Sequence, residues 1–105
     1  MKHFEDINKQ DKCIVQKYID NPYLIEHLKF DLRIYVLLAG LSPMRIFIYK
    51  DGLARFATFK YQQADKGNLG NLMMHLTNYS INKKSKDFIF NTSKENMGYG
   101  HKRNF

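Results

Sequence analysis

The feature that most constrains this chain is a short apolar run, Ile34-Tyr35-Val36-Leu37-Leu38-Ala39, led in by alternating charges at Lys29, Asp31 and Arg33. The run is too short to prefer a helix. It reads as a strand, over about Lys29 to Gly40, buried on both faces. At strand spacing Lys29, Asp31 and Arg33 project from one face, and Phe30, Leu32 and Ile34 from the other. Three such charges are costly beside buried apolar residues unless they pair with one another or meet a ligand. Two readings therefore stand: an internal ion network at a strand end, or a charged floor for a polyanion such as nucleotide phosphates. Arg33 suits the second, because a guanidinium captures carboxylate or phosphate with two bonds.

The surrounding segments extend the strand pattern. Cys13 to Ile19 reads as a short strand, closed by Asn21-Pro22. Leu41-Ser42-Pro43 is a turn, and Arg45 to Tyr49 a further strand. Asp51-Gly52 is a hairpin signal, with Leu53 to Phe59 as the return strand. That pairing would set Arg55 opposite Ile48, where a cation needs either an anionic partner or solvent. Residues 61–71 read as a loop, and Leu72 to Ile81 as a half-buried segment. Three divisions result: a polar lead-in over 1–12, a structured stretch over 13–86, and a polar, loose end over 87–105. The expected class is α+β with mainly antiparallel strands. No segment clearly supplies helices to cover the doubly apolar strand, which points to a portion of a larger domain.

Charge narrows the partners. The net charge is +7, and it is uneven: residues 1–52 hold 8 basic and 7 acidic residues, residues 53–105 hold 9 and 3. The second half should attract an anionic partner: nucleic acid, nucleotide, anionic lipid or an acidic polypeptide. Lys83, Lys84 and Lys86 would otherwise form a solvated face. A membrane span is excluded, because no apolar run approaches about 18 residues. Cys13 is the lone cysteine, so no internal disulfide or cysteine metal cluster is possible. That fits a reducing, cytosolic setting.

His75-Leu76-Thr77-Asn78 places an imidazole, a hydroxyl and an amide in one short segment. Thr77 and Asn78 can bond phosphate or carboxylate oxygens, though Thr-Asn is also ordinary turn chemistry. His75 taken alone reads more readily as structural than as catalytic. A basic, aromatic-rich sheet also permits a nucleic-acid reading, with bases stacked on Tyr35, Phe47 or Tyr49. That reading is the weaker one, because these aromatics sit within apolar alternation and no common recognition motif is present.

Taken in order, Val15-Gln16-Lys17-Tyr18-Ile19, Asn21-Pro22, Lys29 to Leu37, Gly52 to Ala57 and His75 to Lys83 resemble the tubulin–tyrosine ligase-like family. The resemblance covers roughly residues 13–86, and its ending resembles the polyglutamylases of that family. It implies an ATP-grasp fold, of which this chain would be a central part. It also implies an ATP- and Mg2+-dependent ligase, with acidic tubulin tails as acceptor and glutamate as the amino acid added. An acceptor carboxylate would take the γ-phosphoryl group of ATP, and the amino group would then displace it. By position, Gln16, Lys17 and Ile19 would hold the adenine. Lys29, Asp31, Thr77 and Asn78 would contact the nucleotide. Arg33 and Arg55 would be catalytic and hold the acceptor, and His75 and Lys83 would lie on the substrate side. A cytoplasmic, cytoskeletal setting, including cilium or basal body, would follow.

Two departures stand beside the matches. The family's glycine-rich phosphate loop precedes the Gln-Lys-Tyr segment, where this chain has only about a dozen polar residues. Its magnesium carboxylates lie well downstream, and Glu95-Asn96 lacks their spacing, so no metal ligand is assigned here. The chain alone is therefore expected to be inactive. A non-catalytic module that binds acidic tails through Arg33, Arg55 and Lys83 is the alternative.

Overall fold

The computed structural model describes residues 10, 12–91 and 100–104. The lead-in expected over 1–12 and the Glu95-Asn96 pair lie almost wholly outside them. The described elements run β1 (Leu24–Ile25), β2 (Leu28–Arg33), β3 (Val36–Leu41), β4 (Met44–Ile48), β5 (Leu53–Phe56), α1 (Leu72–His75), α2 (Tyr79–Asn82) and β6 (Lys102–Asn104). All strand pairings are antiparallel. They form one four-stranded sheet, ordered β1-β2-β5-β6, and a separate β3-β4 hairpin.

β1 and β2 meet through a two-residue turn, because Ile25 pairs with Leu28. Its residues Glu26 and His27 both adopt positive φ, 54° and 62°. That geometry matches the right-handed twist of a hairpin, but it strains side-chain-bearing residues. Glu26 is tied down by Arg103 of β6, with Nη2 to Oε2 at 2.6 Å and Nη1 to Oε1 at 3.1 Å.

The expected strand over Lys29 to Gly40 is two strands, broken at Ile34-Tyr35 so that β2 and β3 join different sheets. The Asp51-Gly52 hairpin does not form. β4 has already paired with β3 across Ser42-Pro43, so Asp51-Gly52 carries the chain from one sheet to the other. β5 then pairs with β2, and Arg55 faces Asp31 rather than Ile48. The stretch from Cys13 to Ile19 forms no strand, and Lys102–Asn104, within the end expected to be loose, adds an outer strand to the sheet.

The core is small. Ala54, Phe56, Ala57, Met74 and Phe88 are its buried apolar residues. Phe30 stacks on Phe56 across the register, with centroids 5.6 Å apart. Asn82 is fully buried and holds the helical segment against the end of β5. Its Oδ1 accepts from the Thr58 amide at 2.9 Å and the Thr58 hydroxyl at 2.8 Å. Its Nδ2 donates to the Leu76 and Asn78 carbonyls at 2.8 and 3.1 Å. The burial on both faces expected of the apolar run is not found in the β3-β4 hairpin, which no other described element covers. Val36, Leu38, Ile46 and Ile48 on one face, and Leu37 and Phe47 on the other, are all more than half exposed.

Candidate functional site

Strand register builds the site. Asp31 of β2, Arg55 of β5 and Lys102 of β6 form one row across three strands. Arg33, Leu53 and Asn104 form the next row on the same face, and Lys29 shares that face two residues before Asp31. Arg55 Nε donates to Asp31 Oδ1 at 2.8 Å, and Arg55 Nη2 closes a second bond to Asp31 Oδ2. These bonds raise the Arg55 pKa above its ordinary value, against a smaller opposing effect of burial. The alternating charges are thus partly an ion pair and partly free. Arg33 is exposed and makes no hydrogen bond or ion pair with a described residue.

At one end of this face lies an open cleft of about 640 Å³. Gln16, Lys17, Ile19 and Lys29, four of the residues singled out from sequence, line it together with Tyr18 and Tyr23. Lys29 Nζ donates to the Tyr18 hydroxyl at 3.1 Å and to the His75 carbonyl at 3.0 Å. It also lies 4.3 Å from the centre of the Tyr18 ring. Burial holds the Lys29 pKa below the usual lysine range. Burial and the neighbouring Tyr18 push the Tyr61 phenol up to about 12.

His75 is buried, at 5% exposure, and both of its ring nitrogens are engaged. Nδ1 is 3.0 Å from the Tyr18 hydroxyl, and Nε2 is 3.1 Å from Asn68 Oδ1. Thr77 and Asn78 bridge α1 and α2. Asn78 is exposed, and its side chain makes no capping bond to α2. Lys83 is exposed, with its ammonium 5.3 Å from the Tyr79 ring centre; that of Lys102 lies 5.9 Å from the same ring. The structure therefore brings Lys29 to His75, Asp31 to Arg55, and Lys83 to Lys102 around Tyr79. The side chains of Thr77 and Asn78 make no hydrogen bond to the charged row among the described residues. Among the described residues no group of three His, Cys, Asp or Glu could hold a metal.

Tyr18, Asn68, Asn82 and Lys102 were missed from sequence. Tyr18 lies within the Gln-Lys-Tyr segment, so its position was available, but its partner is 57 residues away. Lys102 carried only the general signal of a basic second half.

A family model described as the Tubulin-tyrosine ligase family matches residues 1–105. The chain is 53% identical over 102 residues to a probable beta-tubulin polyglutamylase of Tetrahymena thermophila, covering 97% of this chain and 8% of that protein. It is 51% identical over 84 residues to tubulin polyglutamylase TTLL7 of Xenopus tropicalis, covering 80% of this chain and 9% of the relative. It is 48% identical over 96 residues to tubulin polyglutamylase TTLL5 of Mus musculus, covering 91% and 7%. The chain thus spans less than a tenth of the length of each of these relatives.

Proposed function

The chain belongs to the tubulin-tyrosine ligase family, and on that premise we propose that it supplies nucleotide- and acceptor-binding strands of an ATP-dependent ligase that adds glutamate to tubulin tails. The observation that carries this reading is the shared sheet face of Lys29, Asp31, Arg33, Arg55 and Lys102, beside a cleft lined by Gln16, Lys17 and Ile19. The ligase family and the polyglutamylase relatives support the substrate class.

Joining a carboxylate to an amine through ATP develops negative charge on transferred phosphoryl oxygens and brings several anions together. Fixed cations and donors in a partly enclosed site are what such a reaction requires. In this reading Gln16, Lys17 and Ile19 hold the adenine in the cleft. Lys29, Thr77 and Asn78 bond phosphate or ribose oxygens. Arg55, set in orientation by Asp31, and the free Arg33 hold the acceptor carboxylate and the acyl phosphate formed from it. Lys83 and Lys102, both near the Tyr79 ring, hold the carboxylates of the incoming glutamate or of the tail. Magnesium would offset the negative charge of the phosphates. Asp31 is engaged by Arg55, so its ligands are assigned to the longer parent protein. That parent would act on the cytoplasmic cytoskeleton, including cilia and basal bodies; the chain alone would be inactive.

The test is ATP binding with and without magnesium, beside capture of glutamate-rich tubulin tails. Saturable ATP binding that is lost in Lys29→Ala supports the reading. Salt-sensitive capture of tails with no ATP binding would replace it with a non-catalytic binding module.

A further inference from the structure

We propose that Tyr18 and His75 are positioning residues that aim the Lys29 ammonium into the cleft, toward a nucleotide phosphate. The inference rests on the nucleotide reading above and adds to it the device that holds the cation. An ammonium has three N–H donors. One goes to the Tyr18 hydroxyl at 3.1 Å and one to the His75 carbonyl at 3.0 Å. No third acceptor stands among the described residues, and Lys29 and Tyr18 both line the cleft. A lysine serving only the fold would have its donors met by the protein or by bulk water. Here two are fixed, and the third is left toward an open cavity.

The direction of the hydrogen bonds can be derived from the far end. Asn68 Nδ2 donates to the Gln63 carbonyl at 2.8 Å, and Asn68 Oδ1 accepts from the Asp65 amide at 3.0 Å. The amide is therefore fixed with its oxygen toward His75 Nε2, 3.1 Å away. A carbonyl oxygen cannot donate, so Nε2 carries the proton. In the neutral imidazole Nδ1 is then the acceptor for the Tyr18 O–H at 3.0 Å. With its own hydrogen committed to His75, the Tyr18 oxygen presents lone pairs to Lys29. Donation runs one way, from Lys29 to Tyr18 to His75 to Asn68.

Packing keeps the relay in place. The Tyr18 and Tyr61 rings stand edge-on to His75, with centroids 5.7 and 5.8 Å away and interplanar angles of 84° and 90°. Lysine is ordinarily a flexible point charge. Holding it before the ligand arrives removes the ordering cost from the binding step. Both ring nitrogens of His75 are occupied, so His75 acts through Lys29 rather than on the substrate.

The test is an ATP titration of the full-length protein carrying Tyr18→Phe, Lys29→Gln or both. Tyr18→Phe keeps the ring and removes only the hydroxyl. Positioning predicts that it weakens ATP about tenfold, as loss of one charge-assisted hydrogen bond does, with little change in thermal midpoint. In the Lys29→Gln background the same change should have no further effect. A second readout is the 15N signature of the His75 ring, with Nε2 protonated and a Nδ1 resonance that moves in Tyr18→Phe. Additive losses in the double variant, with ATP binding otherwise intact, would overturn positioning alone. A protonated Nδ1 would overturn the relay. No saturable ATP binding by the unaltered protein would overturn the nucleotide reading, and the positioning role with it.

Discussion

Asp31 and Arg55 stand directly opposite each other across the β2-β5 ladder and are joined by two hydrogen bonds, one of them Nε to Oδ1 at 2.8 Å. The pair links the two charged segments of the chain and fixes the plane of the Arg55 guanidinium. It is partly open to water, with side-chain exposures of 23% for Arg55 and 38% for Asp31. Its weight for stability is therefore modest, and its weight for orientation is greater.

That difference gives a separable outcome. Asp31→Arg or Arg55→Asp alone should lower stability by about 1 kcal/mol, including the repulsion of like charges across the ladder. The reciprocal double variant remakes the ion pair and should recover most of the thermal midpoint. It should not recover ligation, because the cation then sits on the wrong strand. Recovered activity in the double variant would show that the pair serves the fold alone.

Arg33 is exposed and makes no bond to a described residue. Arg33→Ala should leave stability within about 0.5 kcal/mol, as for an ordinary surface change. Capture of a glutamate-rich peptide at low salt should weaken clearly. A peptide titration beside a thermal melt checks both halves, and unchanged capture would remove Arg33 from the acceptor site.

Asn82 satisfies two donors and two acceptors from a fully buried position. Asn82→Leu keeps the approximate size and strands all four partners. Each stranded group costs about 1–3 kcal/mol when it stays buried, so the loss should reach several kcal/mol. Urea denaturation measures it. A loss under about 1 kcal/mol would mean that water replaces the amide.

His101 gives the fold an acid sensitivity. Burial holds its pKa below the ordinary 6.5, and Nδ1 accepts from the Ile89 N–H at 2.9 Å, a bond that a protonated Nδ1 could not keep. The unfolded chain takes up this proton as pH falls through about 6.5, while the folded chain resists it. The contribution is full above that pH and is lost as pH falls through the lower, folded value. Denaturation midpoints should therefore drop as pH falls below about 6.5, and the His101→Gln variant should show a flatter profile. An equal slope in both proteins would assign the acid sensitivity to other groups.

The alternation of Lys29, Asp31 and Arg33 was legible because strand periodicity assigns a face from local order alone. The need of Arg55 for an anion was legible for the same reason. Its identity was not, because Asp51-Gly52 is a strong local turn signal and the choice of strand partner is made at long range. The Glu26-His27 turn was hidden, since neither residue is the usual one for positive φ. Three residues of β6 offer too short a pattern to read. The run at 34–39 marked an apolar strand, but the burial inferred from it fails, because Val36, Leu37 and Leu38 are more than half exposed and local order says nothing about what covers a face. His75 read more readily as structural than as catalytic, and its two ring partners, Tyr18 and Asn68, show how it can act without touching a substrate.

The most direct test of the central claim is ATP-dependent incorporation of labelled glutamate into tubulin by the full-length protein, compared with its Arg33→Ala/Arg55→Ala form. The account predicts incorporation that requires ATP and magnesium, and its loss in the double variant while the fold is retained. Incorporation that persists in the folded double variant, or is absent from the unaltered protein, would contradict it.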